Sequence, residues 1–265
     1  MKRASSSGGG DQARQKRRRR SSSSSSDGPS ERRPRLKTIV FFDLESTGFV
    51  VTAARITEMA MLACPVEALI NFGTSKFNQG KGGSQAWPLR SATKTHRLVK
   101  PCSEKEAGVI AAANEAAEEC SSDLTWTKLK GCQPLGKVWQ QFWNFLDKQE
   151  RPLCLVAHKG FAFDYRLLAS EMKRCKVSTR LPEDVYVHDT LVAFKALDRR
   201  NKKVRASHGL GELYEDIYRK EREGAHRALT DCAALLQVSA AYGRSLVDYL
   251  NDEAFLLDKI DSPRR

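Results

Sequence analysis

The chain holds 265 residues, enough for one large domain, and its 45 Lys and Arg against 32 Asp and Glu leave a formal net charge of +13. No apolar run approaches the ~18 residues of a membrane span and no secretory core follows the basic start, so the sequence reads as neither membrane-spanning nor secreted. The 7 cysteines form no Cys-x-x-Cys pair and match no zinc spacing, which excludes a disulfide scaffold and reads as free thiols in a reducing compartment.

Residues 1–37 stand apart from the rest. They hold 12 Lys and Arg against 3 acids, 10 Ser, and Leu36 as the one large aliphatic, too little apolar surface to fold alone. Within this disordered tail Lys16, Arg17, Arg18, Arg19 and Arg20 form a compact cluster of the kind read as a nuclear-import signal or a nucleic-acid patch. That places the protein in the nucleus, with the cytoplasm as a second compartment.

From Thr38 the composition turns apolar. Residues 38–44 are apolar on both faces until their end, the mark of a strand buried between two helical layers. Residues 55–64 read as a second strand and 69–72 as the start of a third, and the Gly-rich basic stretch between Phe72 and Leu98 reads as a long loop. Leu135, Val138, Trp139, Phe142, Phe145 and Leu146 recur at three and four, which makes an amphipathic helix with a core-facing aromatic stripe. Residues 153–157 form a short buried strand, a helix follows through 161–172, residues 184–188 are another strand, and a helix runs on through Phe194. Helices over 210–218, 228–242 and 245–259 complete the chain. Antiparallel strands first and alternating strand and helix units afterwards specify an α/β fold, a mixed sheet with helices on both faces.

Asp43 and Glu45 stand two apart at the end of the first strand, so both carboxylates point to one side. They occupy the strand end where open α/β sheets place ligands, and Gly48 lets the chain turn away. Taken alone, such a pair reads as readily as two solvated acids. Asp164 sits at a helix start, where unpaired amides favour an acid whatever its function. His226 precedes Asp231 by five residues, about 140° apart on a regular helix. The two converge only if His226 lies before the helix begins, a turn for which Gly224 supplies freedom.

Four acids at one rim would repel by ~4 kcal/mol per pair at 4 Å and an effective dielectric of 20, so such a cluster spreads, protonates or binds divalent cations. Oxygen-only ligation favours Mg²⁺ or Mn²⁺ over zinc, in the two-metal arrangement for phosphoryl hydrolysis. Asp189 reads as a structural strand-end acid, and His96, His188 and His208 as surface or packing residues.

Residues 41–48 (FFDLESTG), 155–168 (LVAHKGFAFDYRLL) and 224–236 (GAHRALTDCAALL) resemble, in order and spacing, the three motifs of the DEDDh exonucleases, the superfamily of polymerase proofreading subunits and RNase T. The run from Leu153, with GLGELY at 209–214, is most similar to the animal three prime repair exonucleases. The pattern His-x-Ala-x-x-Asp is expected only about 0.03 times by chance in a chain of this composition. The resemblance covers residues 38 to about 243 and implies an RNase H-like sheet. It implies Asp43, Glu45, Asp164 and Asp231 as ligands of two Mg²⁺ ions, for which Mn²⁺ can substitute, with Asp43 bridging both and His226 as general base. It also implies substrate contacts at Leu44, at His158, which matches the His of the family's Ala-His-Asn-Gly motif, and at Lys159, which stands where that motif has Asn.

The reading that results is an exonuclease domain over residues 38–265 that releases nucleoside 5′-monophosphates from single-stranded or frayed DNA 3′ ends, in repair or degradation. Residues 195–205 carry six cations against Asp198 and read as a loop in which Arg199, Arg200, Lys202 and Lys203 grip phosphates. The basic insertion over 76–100 is a second such surface. Two other readings stay open: an exoribonuclease of the same fold, which the treatment of a 2′-OH would separate, and a catalytically silent nucleic-acid-binding adaptor, against which the full set of four acids and a His stands. Members of the repair group are often dimers, so a homodimer is expected, and a membrane-tethering tail is not.

Overall fold

The computed structural model describes residues 35–78, 91–102, 106–119, 123–222 and 224–257. Lys16 to Arg20, and Lys81 and Arg90 of the insertion, lie outside the described residues. In chain order the elements are β1 (Thr38–Ser46), β2 (Ile56–Pro65), α1 (Val66–Asn78), β3 (Thr93–Lys100), α2 (Glu106–Glu119), α3 (Trp126–Leu129), β4 (Gln133–Pro134) and α4 (Leu135–Asp147). They continue with β5 (Leu153–Ala157), α5 (Asp164–Arg174), β6 (Val185–Asp189), α6 (Thr190–Arg200), α7 (Leu210–Tyr218), α8 (Ala228–Tyr242), α9 (Arg244–Glu253) and β7 (Phe255–Leu256).

The strands make one mixed sheet in the order β4-β3-β2-β1-β5-β6-β7. β2 and β3 run as an antiparallel meander from β1, while β5 and β6 are parallel to β1 and β7 closes antiparallel to β6. Two parallel pairs need crossover connections: α4 lies in the stretch that leads from β1 into β5, and α5 joins β5 to β6. This is the mixed α/β architecture expected of the sequence.

β1 is the spine of both layers, because alternate residues of a strand point to opposite faces. Ile39 and Phe41 join Leu69 of α1, Phe194 of α6, Leu213 of α7, Leu235 of α8 and Leu246 of α9. Val40, Phe42 and Leu44 join Val138 and Phe142 of α4 and Leu167 and Met172 of α5. Asp43 and Glu45 continue the parity of Ile39 and Phe41, so they face the α8 layer. α8 carries small residues on its buried side, and Cys232 Sγ comes within 3.4 Å of the Phe41 carbonyl oxygen, so the helix lies close to the strand that bears the two acids.

The structure departs from the sequence reading at several places. Residues 69–72 are helical, inside α1, because a short apolar run does not by itself distinguish strand from helix. The expected long loop is helical to Asn78 and becomes β3 at Thr93; β3 is polar along most of its length because most of its side chains stay solvated, which hides it from a pattern search. α6 extends to Arg200, since Leu197 and Asp198 continue its buried side. The last helix stops at Glu253, and Phe255 and Leu256 pair with β6 instead. Leu36, counted above with the tail, is buried in the α8 layer, and its amide donates to Asn251 Oδ1 at 2.9 Å. No helix among the described residues is long and apolar enough to cross a membrane.

Phe142 is fully buried between α4 and the sheet. Phe142→Ala should lower the unfolding free energy by about 3–5 kcal/mol, measured as a shift in urea midpoint at unchanged slope.

Candidate active site

β1 delivers Asp43 and Glu45 to its carboxyl end, and the first turn of α8 brings Asp231 against them. One oxygen from each of these three carboxylates lies within 4.8 Å of the others. Asp164, the first residue of α5 and only 4% exposed, enters from the opposite layer, and its carboxylate accepts its own backbone N–H and that of Leu44. Leu44 therefore serves the site through its main chain. Its side chain is packed in the α4/α5 layer, because continuing the parity of Val40 and Phe42 turns it into the core.

Burial is the largest influence on these acids. It pushes Glu45 up to about 8 and Asp164 up to about 7, and it lifts Asp43 well above the usual carboxylate range and Asp231 above it as well. Repulsion from the neighbouring carboxylates adds to the rise at Asp43 and Glu45. Among the described residues, the converging cluster is built of carboxylates alone, which is the donor chemistry of Mg²⁺ and Mn²⁺. The residues present fit such ions.

The turn after β5 positions Asp164. Lys159 adopts φ +64°, and at Gly160 a Cβ would stand 2.7 Å from the Ala157 Cβ and 2.8 Å from the Tyr165 ring, so only glycine fits. Asp189 holds this turn: it accepts the N–H groups of Lys159 at 3.0 Å and Phe161 at 3.1 Å, and it caps α6 by accepting that of Leu191 at 2.9 Å. The strand-end acid is thus structural, as its position suggested. His158 donates from Nε2 to the His208 carbonyl at 2.9 Å and accepts at Nδ1 from the Thr190 hydroxyl at 3.1 Å. Burial lowers its pKa to about 4, so the ring is neutral; it ties the turn to α6 while lining the cleft.

His226 lies two residues before α8, as the five-residue spacing to Asp231 requires. It adopts φ +62° after Gly224 at φ +64°. With Asp43, Lys159, Lys195, Arg222 and Asp231 it lines a cleft of about 820 Å³, and it also borders a small recess beside Glu45 that Ala113, Ala116 and Ala117 of α2 cover. Arg222 is the residue that sequence reasoning missed. Its Nη1 stands 2.6 Å from Asp231 Oδ1, with both side chains mostly buried, and its charge opposes the rise in pKa at Asp43, Glu45 and Asp231. A single Arg outside any periodic pattern gave no signal that the fold would bring it there.

The basic segment is rearranged relative to expectation. Lys195 of α6 lines the cleft, whereas Arg199, Arg200, Lys202 and Lys203 do not. α6 runs to Arg200, so Arg199 and Arg200 stand on its last turn and only Lys202 and Lys203 follow in the loop, which breaks up the single basic edge expected. Arg200 stacks over the Tyr249 ring at 5.2 Å, and Lys203 lies 3.7 Å from Asp216. Arg205, nearly buried, pairs with Asp198 at 2.7 Å and also with Asp216. Asp198 further accepts the Tyr242 hydroxyl at 3.0 Å and contacts His208 Nε2 at 3.1 Å, so His208 is partnered, as is His96, whose Nε2 meets Glu58. Lys94, Arg97 and Lys100 of the insertion lie on β3 and are not among the residues that line the cleft.

Residues 127–239 match the RNase_T family model, described as an exonuclease. Human three prime repair exonuclease 2 is 31% identical over 226 residues, which span 83% of this chain and 90% of that protein. Among solved structures, the nuclease domain of 3′hExo, a DEDDh family member bound to rAMP, aligns with a TM-score of 0.56 at 12% identity, over 84% of this chain and 98% of its own. E. coli Exonuclease I in complex with a dT13 oligonucleotide gives 0.55 at 16% identity, over 81% of this chain and 43% of its own. These two structures share its fold.

The raised acids make stability depend on pH with a definite sign. Glu45 and Asp164 hold protons to about 8 and about 7 when folded, but release them near about 4 when unfolded. The folded chain then binds more protons in that window, so its stability should fall as pH rises through it. Urea unfolding in EDTA should show lower stability at pH 8 than at pH 5.5, a smaller difference in Glu45→Gln, and recovery at pH 8 on adding Mn²⁺.

Proposed function

The chain belongs to the three prime repair exonuclease family of DEDDh 3′-to-5′ exonucleases, and on that premise we propose that it removes nucleoside 5′-monophosphates from single-stranded or frayed DNA 3′ ends, with two Mg²⁺ ions held by Asp43, Glu45, Asp164 and Asp231. The observation that carries this reading is the convergence of the carboxylates of Asp43, Glu45 and Asp231, with Asp43 and Asp231 lining a cleft that also holds His226 and several cations. Bound there, divalent ions would stabilise charge on the scissile phosphate and on the attacking and departing oxygens.

The chain's own residues supply the rest. Two acids ride on a central strand and one on each of two helices, so their mutual placement is set by the packing of whole elements. His226, through an imidazole nitrogen, accepts the proton of the attacking water. Lys159, Lys195 and Arg222 face the cleft, where they would bind the phosphates on either side of the cut. To the same reading belong a tail over 1–37 that addresses the protein to the nucleus through Lys16 to Arg20, an exonuclease domain over 38–265 and a homodimer. The name of the human relative, a repair exonuclease, favours DNA; the rAMP bound to one fold neighbour favours the exoribonuclease alternative.

Incubation with matched single-stranded DNA, duplex DNA and RNA oligonucleotides, with and without Mg²⁺, decides between these substrates. Asp43→Asn or Asp231→Asn should lose activity on the order of 10³-fold, and near-normal turnover in Asp43→Asn would sink the assignment. His226→Ala should lose roughly 10²- to 10⁴-fold in single-turnover rate while still binding Mn²⁺ by titration calorimetry.

A second measurement addresses the cations. Replacing Lys159 and Lys195 by Ala should flatten the slope of log affinity against log salt for a tetranucleotide, by ~0.7 for each phosphate left without its cation. Replacing Arg199, Arg200, Lys202 and Lys203, which lie outside the cleft, should leave that slope nearly unchanged. The opposite pattern would return the phosphate grip to the basic segment.

A further inference from the structure

Glu58 and Arg227 stand outside the acid cluster, yet they hold the stretch of chain that carries His226. Glu58 lies on β2 directly across from Glu45 in the β1–β2 pairing, and it is fully buried. A carboxylate at that depth needs several donors. It receives Arg227 Nε at 3.1 Å and Nη2 at 3.3 Å, the Ala228 amide at 3.3 Å, and His96 Nε2 from β3. Arg227 also reaches Asp123 with Nη1 at 3.3 Å.

The Ala228 amide is the first donor of α8, and the helix has no cap from its own N-cap side chain, which is Arg227. Glu58 supplies the missing acceptor from the neighbouring strand, with its charge at the favourable end of the helix dipole. One carboxylate therefore grips both the side chain of Arg227 and the amide that follows it. The preceding residue is His226 at φ +62°, a conformation that a side-chain-bearing residue keeps only when its surroundings over-determine it.

We propose that Glu58 and Arg227 are positioning residues for His226, locking the residue after the base onto the strand that is hydrogen-bonded to the bearer of Asp43 and Glu45. The claim rests on the reading of His226 as proton acceptor. An arginine suits the task because its planar fork meets a carboxylate with two N–H groups at once, which fixes direction as well as distance.

The test is a double-mutant cycle on the full chain with Mg²⁺ and a single-stranded DNA oligonucleotide. Arg227→Gln should lower the single-turnover rate about tenfold or more while leaving KM and Mn²⁺ affinity within about threefold. Arg227→Lys should recover part of the loss. Arg227→Gln added to His226→Ala should lower the rate no further, because no base remains to be positioned. A normal rate in Arg227→Gln, or a loss by the same factor in both backgrounds, would overturn the proposal. Normal turnover in His226→Ala alone would remove the base assignment and the positioning claim with it, and that outcome is visible before Arg227 is changed.

Discussion

Carboxylates whose oxygens lie within 4.8 Å of one another, partly shut off from water, repel strongly enough to dictate what surrounds them. The chain answers with positive charge and oriented dipoles. Arg222 stands against Asp231, the main-chain N–H groups of Leu44 and Asp164 meet Asp164, and two of the four acids sit in the first turns of α5 and α8, where a helix presents its positive end. These answers are incomplete, since burial still holds Glu45 and Asp164 far above the ordinary carboxylate range. Oxygen donors gathered in this way are the kind that suits small, hard cations.

Two of the strained turns of the chain lie beside the acid cluster. Lys159 and His226 both adopt left-handed backbone conformations despite carrying side chains, one in the turn that presents Asp164 and the other at the entrance to α8. Each is held from outside its own loop, Lys159 by the Asp189 carboxylate and the chain beside His226 by Glu58. Both anchors are acids on strands of the sheet, and neither belongs to the cluster of Asp43, Glu45 and Asp231. The sheet thus acts as the rigid reference from which two otherwise costly turns are hung.

What could be read from the sequence follows from which interactions are local. The shared face of Asp43 and Glu45 is a matter of strand parity, and the need for His226 to precede its helix is a matter of helical angle, so both were legible. The assignment of roles was not; the acid pair alone reads as easily as two solvated residues, and only the order of three motifs turned it into a centre. β3 escaped notice because its side chains stay largely solvated, and the run to Arg200 in α6 because charged residues end it. Arg222 and the Glu58–Arg227 pair were invisible for a different reason: Glu58 and Arg227 are 169 residues apart, and no periodicity connects them.

The contact of Cys232 with the Phe41 carbonyl spans 191 residues, and it is this helix that seals the face of β1. A chain made from its N-terminus therefore owns Asp43 and Glu45 early in its synthesis but lacks Asp231 until α8 has emerged. Distant pairing of this kind slows folding, and here it also orders events. Until α8 packs against β1, the cluster of Asp43, Glu45 and Asp231 lacks one of its three acids.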